Sequence, residues 1–155
     1  MPEQETSSTV AQAADDGRRL VLRSLTLEIE GGTPTTWQLD APQALAELKE
    51  KGFTLTEGSH YKLRYAFQVR HDIISGLTYV SATSRQRIKV DKDRVLLGSL
   101  GPQAAPHEGT IPRSGWAEAP TGAASRGAYT VKATFVDDEG AELAKAEYAF
   151  TIASA

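Results

Sequence analysis

From Tyr61 to Tyr79 the chain reads Tyr-Lys-Leu-Arg-Tyr-Ala-Phe-Gln-Val-Arg-His-Asp-Ile-Ile-Ser-Gly-Leu-Thr-Tyr. Its first half alternates. Tyr61, Leu63, Tyr65, Phe67 and Val69 share one parity, and Lys62, Arg64, Gln68 and Arg70 share the other with small Ala66. Side chains of a strand repeat every two residues, so this run predicts a strand with one apolar and one wet face. Three of its five inward residues are aromatic, which builds a wide apolar wall. After the polar break Arg70-His71-Asp72 a second apolar strand starts at Ile73 and runs to Ala82. Gly76 inside that run predicts a bulge or a close approach of backbone.

The remaining chain supplies partners for such a strand. Leu20 and Leu22 lie on one parity and Leu25, Leu27 and Ile29 on the other, so a bulge is expected near Arg23-Ser24. Gly31-Gly32-Thr33-Pro34 reads as a turn, and Trp37 and Leu39 as a short strand. Asp40-Ala41-Pro42 reads as a helix start and Gly52 as its end, with Leu45 and Leu48 between. This short helix would cap an open end of the fold. Phe53 and Leu55 lead to a Glu57-Gly58 turn. Ile88 and Val90 predict one short strand, and Val95, Leu96, Leu97 and Leu100 the next. Residues 101–126, with Pro102, Pro106, Pro112 and Pro120, read as one long loop. Tyr129, Val131, Ala133 and Phe135 alternate into a turn at Asp137-Asp138-Glu139-Gly140. Ala144, Ala146, Tyr148, Phe150 and Ile152 alternate back. About eight short strands and one helix predict an all-β fold, an antiparallel β-sandwich that is immunoglobulin-like in architecture.

With 155 residues the chain has the length of one domain. Residues 1–18 are polar and read as a disordered tail, and residues 19–155 as the sandwich. Met1 ahead of this tail favours a full-length chain. A net charge of −3 gives no footprint for nucleic acid. No apolar run approaches the ~18 residues of a membrane span, and the N-terminus lacks the basic and apolar regions of a secretion signal. No cysteine is present, so disulfide and thiolate chemistry are excluded. A cytoplasmic location is the simplest reading.

Catalytic constellations are missing. His60, His71 and His107 fall in a turn, a strand break and a Pro-rich loop, without metal-ligand spacing. Ser75-Gly76 is no nucleophile elbow, and no Gly-rich phosphate loop precedes a helix. Asp91 and Asp93, beside Lys89, Lys92 and Arg94, read as a solvated turn or a protein-contact patch. The chain therefore reads as a non-enzyme with no cofactor and no metal. Its many inward aromatic residues either fill the core or line a slot between splayed sheets.

The residues Val69-Arg70-His71-Asp72-Ile73-Ile74-Ser75-Gly76-Leu77-Thr78-Tyr79 resemble the central segment of the Rho GDP-dissociation inhibitors. The resemblance continues through Ile88-Lys89-Val90-Asp91-Lys92, Leu97-Gly98-Ser99-Leu100-Gly101-Pro102 and Glu118-Ala119-Pro120-Thr121-Gly122. It ends with Ser125-Arg126-Gly127-Ala128-Tyr129-Thr130-Val131-Lys132 and Phe135-Val136-Asp137-Asp138. It implies a binding protein for prenylated Rho-type small GTPases whose immunoglobulin-like domain shelters the geranylgeranyl lipid between its sheets. Carried over, the prenyl slot would be lined by Leu25, Leu27, Phe53, Tyr61, Phe67, Ile73, Leu77, Tyr79, Leu97, Val131, Tyr148 and Phe150, with an entry beside Ile73 and Tyr148. Asp91, Asp93, Glu118, Asp137 and Asp138 would face the GTPase. Members carry a long N-terminal arm that blocks nucleotide release, whereas about 20 polar residues precede the first strand here. Weak inhibition of GDP release is therefore expected, from a monomer without stable membrane insertion. Where members have a tryptophan-rich final strand, this chain has Ala146, Tyr148 and Phe150, which would reshape the slot, and Trp116 would add an apolar contact in the long loop. The alternative is a structural or adaptor sandwich with a filled core.

Overall fold

A computed structural model describes residues 17–155. The proposed tail at residues 1–18 therefore lies almost wholly outside the described residues. Two five-stranded sheets face each other. The first is built from β1 (Leu20–Ile29), β2 (Thr35–Gln38), β4 (His60–Val69), β7 (His107–Ile111) and β8 (Ala117–Glu118). Its order is β2-β1-β4-β7, with β8 also on β4. The second holds β3 (Phe53–Thr56), β5 (Ile74–Arg85), β6 (Ile88–Leu100), β9 (Gly127–Val136) and β10 (Glu142–Ala153), in the order β3-β10-β9-β5-β6. Every pairing is antiparallel except β3 with β10.

The alternation in β4 becomes burial. Leu63, Tyr65, Phe67 and Val69 are buried and Tyr61 is half-buried. The parity switch in β1 is a bulge between Leu22 and Ser24, which keeps Leu20 and Leu25 both inside. Gly76 sits at φ +63, where the β5–β6 register shifts, and a Cβ there would lie 2.8 Å from Asp138 Cβ. A side chain at that point would collide with the β9–β10 turn, hence glycine.

Three local expectations change. The two short strands around Ile88 and Val95 are one 13-residue strand, β6. Charged Asp91-Lys92-Asp93-Arg94 interrupts the apolar pattern without interrupting the ladder to β5. The long loop holds β7, β8 and a 3-10 turn at Ala123–Ser125. His107 thus opens a strand, its ring on Phe67 and its Nε2 2.7 Å from the Gly101 carbonyl oxygen. Helix α1 (Pro42–Glu50) buries only Leu48, leaving Leu45 39% exposed.

At the core's centre Phe135 meets Tyr65 and Tyr79 edge to face and the two tyrosine rings tilt against each other, with centroids 5.2–5.3 Å apart. The edge formed by β2 and β3 is closed by Trp37 on Phe53 and by α1. The opposite edge, between β6 and β7/β8, lacks such a cover, and the candidate site lies there.

Candidate functional site

The register of the second sheet explains a hollow. Towards the centre of the sandwich Tyr79 lies across from Phe135, both bulky. Two residues along, Ser81 pairs with Ala133, which pairs with Ala146. The next row is Thr83, Val131 and Tyr148. Of these rows Ser81, Thr83, Val131 and Tyr148 face a gap between the sheets. The result is a cavity of about 510 Å³ between the sheets. Its far wall is Tyr61 and Leu63 of β4, Ile111 of β7, Pro112 and Ala117. Val90, Asp91 and Asp93 on one lip, and Glu118 and Pro120 on the other, are solvent-exposed, so the slot opens sideways between β6 and β8.

Hydroxyls on the floor partner one another. Tyr65 Oη and Tyr79 Oη are 3.2 Å apart, and Tyr148 bonds to Tyr79. Burial pushes all three phenols well above their ordinary range, so they stay neutral. Tyr79 and Tyr148 line the cavity with Tyr65 buried behind them, so these phenol hydroxyls are already partnered. Tyr61, nearer the opening, is also raised, first by burial and then by the carboxylates of Asp91 and Asp93.

Arg85, Tyr129 and Phe150 close the outer end. The Tyr129 and Phe150 rings stack at 4.9 Å. Arg85 lies over Tyr129 and donates to the carbonyl oxygens of Ala124 and Arg126. Tyr129 Oη donates to Ser125 O at 2.6 Å. Glu57 ties this turn down, accepting from Gly122 N at 2.8 Å and from Arg126 Nε at 2.7 Å. These contacts, the Gly122 amide foremost, hold its carboxyl below the usual range.

Of the residues carried over for the slot, Tyr61, Tyr79, Val131, Tyr148 and Phe150 line this cavity. Leu25, Leu27, Phe67 and Leu77 are buried in the closed core instead. Phe53 stands behind the slot, its ring stacked on Tyr148 and Phe150. Leu97 is half-buried against the core, close to Gly109. Ile73 precedes β5 at the other end of the sandwich and is 54% exposed, so the opening is not beside it. Trp116 lies beside the slot's far lip, 38% exposed, with Lys62 Nζ 4.4 Å from its ring centroid. Sequence reading missed Leu63, Ser81, Thr83, Arg85 and Ile111 as lining residues. The period-two continuation from Tyr79 through Ser81, Thr83 and Arg85 was the available signal.

The five carried-over acidic residues divide between two ends. Asp91, Asp93 and Glu118 stand at the opening. Asp137 and Asp138 lie at the β9–β10 turn, at the end away from the cavity. Asp137 is turned inward, accepting from Arg19 Nη2 at 2.7 Å and from the amides of Glu139 and Ala141 at 2.9 Å. The Ala141 amide, then Arg19, hold its carboxyl below the usual range. Asp138 is exposed, its amide bonded to Ser75 O.

A family model for RHO protein GDP dissociation inhibitors matches residues 4–155. The chain belongs to the Rho GDP-dissociation inhibitor family. A Dictyostelium discoideum relative is 44% identical over 140 residues, 90% of this chain and 71% of its own length. The Rho GDP-dissociation inhibitor of Schizosaccharomyces pombe is 35% identical, covering 90% of this chain and 67% of its own. Rho GDP-dissociation inhibitor 1 of Homo sapiens is also 35% identical, covering 92% and 69%. A Niemann-Pick type C2 protein from the Japanese carpenter ant shares the immunoglobulin-like fold, with a TM-score of 0.54 at 9% identity over 89% of this chain and 96% of its own. Rho GDP-dissociation inhibitors are regulators rather than enzymes, which fits a site made of a mixed apolar and hydroxyl-lined slot with a carboxylate rim. Among the described residues no helix is long and apolar enough to cross a membrane.

Proposed function

We propose that this chain binds prenylated Rho-family small GTPases in the cytoplasm and takes the geranylgeranyl tail into the slot between its sheets. The observation that carries this reading is the 510 Å³ cavity, walled in part by Tyr61, Leu63, Ile111, Val131 and Phe150 and open to solvent beside Asp91 and Glu118. An adaptor with a filled interior would leave no such space between Ser81 and Thr83 on one sheet and Tyr61 and Leu63 on the other. The carboxylates of Asp91, Asp93 and Glu118 at the opening complement a basic peptide next to the lipid-bearing residue, orienting the tail before it enters. Asp137, already held by Arg19 and two amides, acts as a turn residue, and Asp138 is the acid left free to face a partner there.

Energy decides how far the slot can act by itself. A 20-carbon chain leaving water gains about 0.8 kcal/mol per CH2, on the order of 15 kcal/mol gross. A tail drawn from a bilayer is already out of water, so extraction draws on protein–protein contact. In this 155-residue polypeptide the segment ahead of β1 offers few residues for that contact, so affinity for the tail outlasts inhibition of GDP release.

The test is a titration with a geranylgeranylated cysteine peptide against the unmodified peptide, read by tryptophan and tyrosine fluorescence, then with the GDP-loaded prenylated GTPase. Saturable binding of the lipidated peptide alone is expected. Equal signals from both peptides would remove the lipid slot, and strong inhibition of GDP release by this polypeptide would overturn the ranking of the two activities.

A further inference from the structure

The hairpin that joins β5 to β6 carries the least protected apolar residue of its size in the described chain. Ile88 is 68% exposed and its neighbour Val90 52%. The turn is tight: Gln86 and Arg87 both have positive φ, 52 and 69, without being glycine. Two such residues in succession make the primed turn that matches strand twist, at a cost in backbone strain. The tip is therefore presented rigidly rather than on a slack loop. Around Ile88 the sequence is Arg85-Gln86-Arg87-Ile88-Lys89-Val90-Asp91-Lys92-Asp93-Arg94. Five cations thus stand against two carboxylates, in a chain whose net charge is −3. Arg85 is tied to the 3-10 turn, and Asp91 and Asp93 face the slot. Arg87, Lys89, Lys92 and Arg94 are exposed and form no ion pair among the described residues. Val90 belongs both to this hairpin and to the lip of the cavity.

An exposed aliphatic residue bracketed by unpaired cations is the chemistry of a segment that seats on an anionic bilayer. The apolar group enters the interface while the cations meet lipid headgroups. We infer that the β5–β6 hairpin is a membrane-touching lip: Ile88 dips into an anionic lipid surface, Arg87 and Lys89 beside it grip its headgroups, and the adjoining slot is brought against the bilayer so that a lipid tail passes between them without crossing water. The carboxylates of Asp91 and Asp93 lie further along β6, where the exposed cations of Lys92 and Arg94 alternate with them and offset their charge. The contact is shallow and reversible, since one Ile and a few cations fall well short of an anchor. Tail transfer rests on the proposed lipid-binding function; the membrane contact itself does not.

The experiment uses the full 155-residue chain, without GTPase, in co-sedimentation with vesicles of phosphatidylcholine alone or with 30% phosphatidylserine. The chain is expected to pellet with the serine-containing vesicles at low salt and to release as salt rises. The pair Arg87→Gln and Lys89→Gln is expected to lower this partition about 30-fold, roughly five-fold per cation. Ile88→Ser is expected to lower it about ten-fold. Both sites are exposed, and an unchanged thermal unfolding midpoint verifies the fold. In parallel, the affinity for a soluble geranylgeranylated peptide is measured without vesicles, and then the rate at which that peptide leaves serine-containing vesicles. Unchanged affinity with slowed transfer in both variants supports the lip. No binding to anionic vesicles, equal binding to neutral ones, or variants that partition and transfer like the parent would overturn it. Failure of the wild-type chain to bind the soluble peptide would instead count against the slot, leaving vesicle binding to stand or fall separately.

Discussion

Single positions in this chain are fixed by backbone contact as much as by chemistry. Gly52 follows the last turn of α1 at φ +64, and a Cβ there would lie 1.6 Å from Ala149 O on β10. Gly52→Ala must therefore displace either the helix or the strand. We expect it to destabilise the fold by about 3 kcal/mol or more, read as a lowered midpoint in urea. The buried phenols give a second expectation at this scale. Tyr65, Tyr79 and Tyr148 have folded pKa values raised above the unfolded 10.0 by burial. Their contribution to stability is thus intact below pH 10 and is lost as pH rises beyond it. Absorbance at the tyrosinate band should show these three ionising only together with unfolding. Smooth ionisation of all five tyrosines near pH 10 in a folded chain would contradict the burial of the floor.

At the scale of elements, the ends of the sandwich do different work. Arg19, just ahead of β1, is pinned by Asp137 to the turn between β9 and β10, so one contact joins the two sheets away from the slot. The carboxyl of Asp137 is held below its ordinary 3.8, which means it stabilises the fold above that pH and ceases to do so as pH falls through its folded value. Asp137→Asn should lower the denaturation midpoint at neutral pH, and its difference from the parent should shrink as the solution is taken below about pH 3.8. A difference that stays constant from pH 7 to pH 3 would show that the charge is not what matters there. At the other end, Ser81 and Thr83 of β5 and Val131 of β9 line the slot.

For the whole molecule, a hollow between two sheets is stability forgone, because apolar side chains lining a void lose the contacts a filled core would give. Filling it should separate fold from function. Thr83→Trp places a large ring in the slot at a half-buried position, one row along β5 from Ser81 and two from Tyr79. It is expected to cut affinity for a geranylgeranylated peptide at least ten-fold while leaving the unfolding free energy within about 1 kcal/mol of the parent. Ligand linkage gives an independent readout. Peptide at 100 times its Kd should add about 2.7 kcal/mol to the stability of the parent, and almost nothing to Thr83→Trp. Equal protection of both chains would place the lipid elsewhere.

Much of this was legible along the chain. The alternation from Tyr61 to Val69, the parity switch at Arg23-Ser24, the Gly76 bulge and the hairpin from Tyr129 to Ile152 all appear as read. Those features are local: side-chain direction in a strand repeats every two residues, and turn chemistry needs only its own few residues. The ordered blocks from Val69 to Asp138 likewise carried the family. Tertiary structure alone decided which apolar residues are core and which are wall. Leu25 and Phe67 went into the closed interior, while Ser81 and Thr83, unremarkable in sequence, became the slot. The slot brings Ser81 and Thr83 together with Val131 and Tyr148, on strands far apart in the chain, and that alignment is set by inter-strand register, which no local pattern encodes.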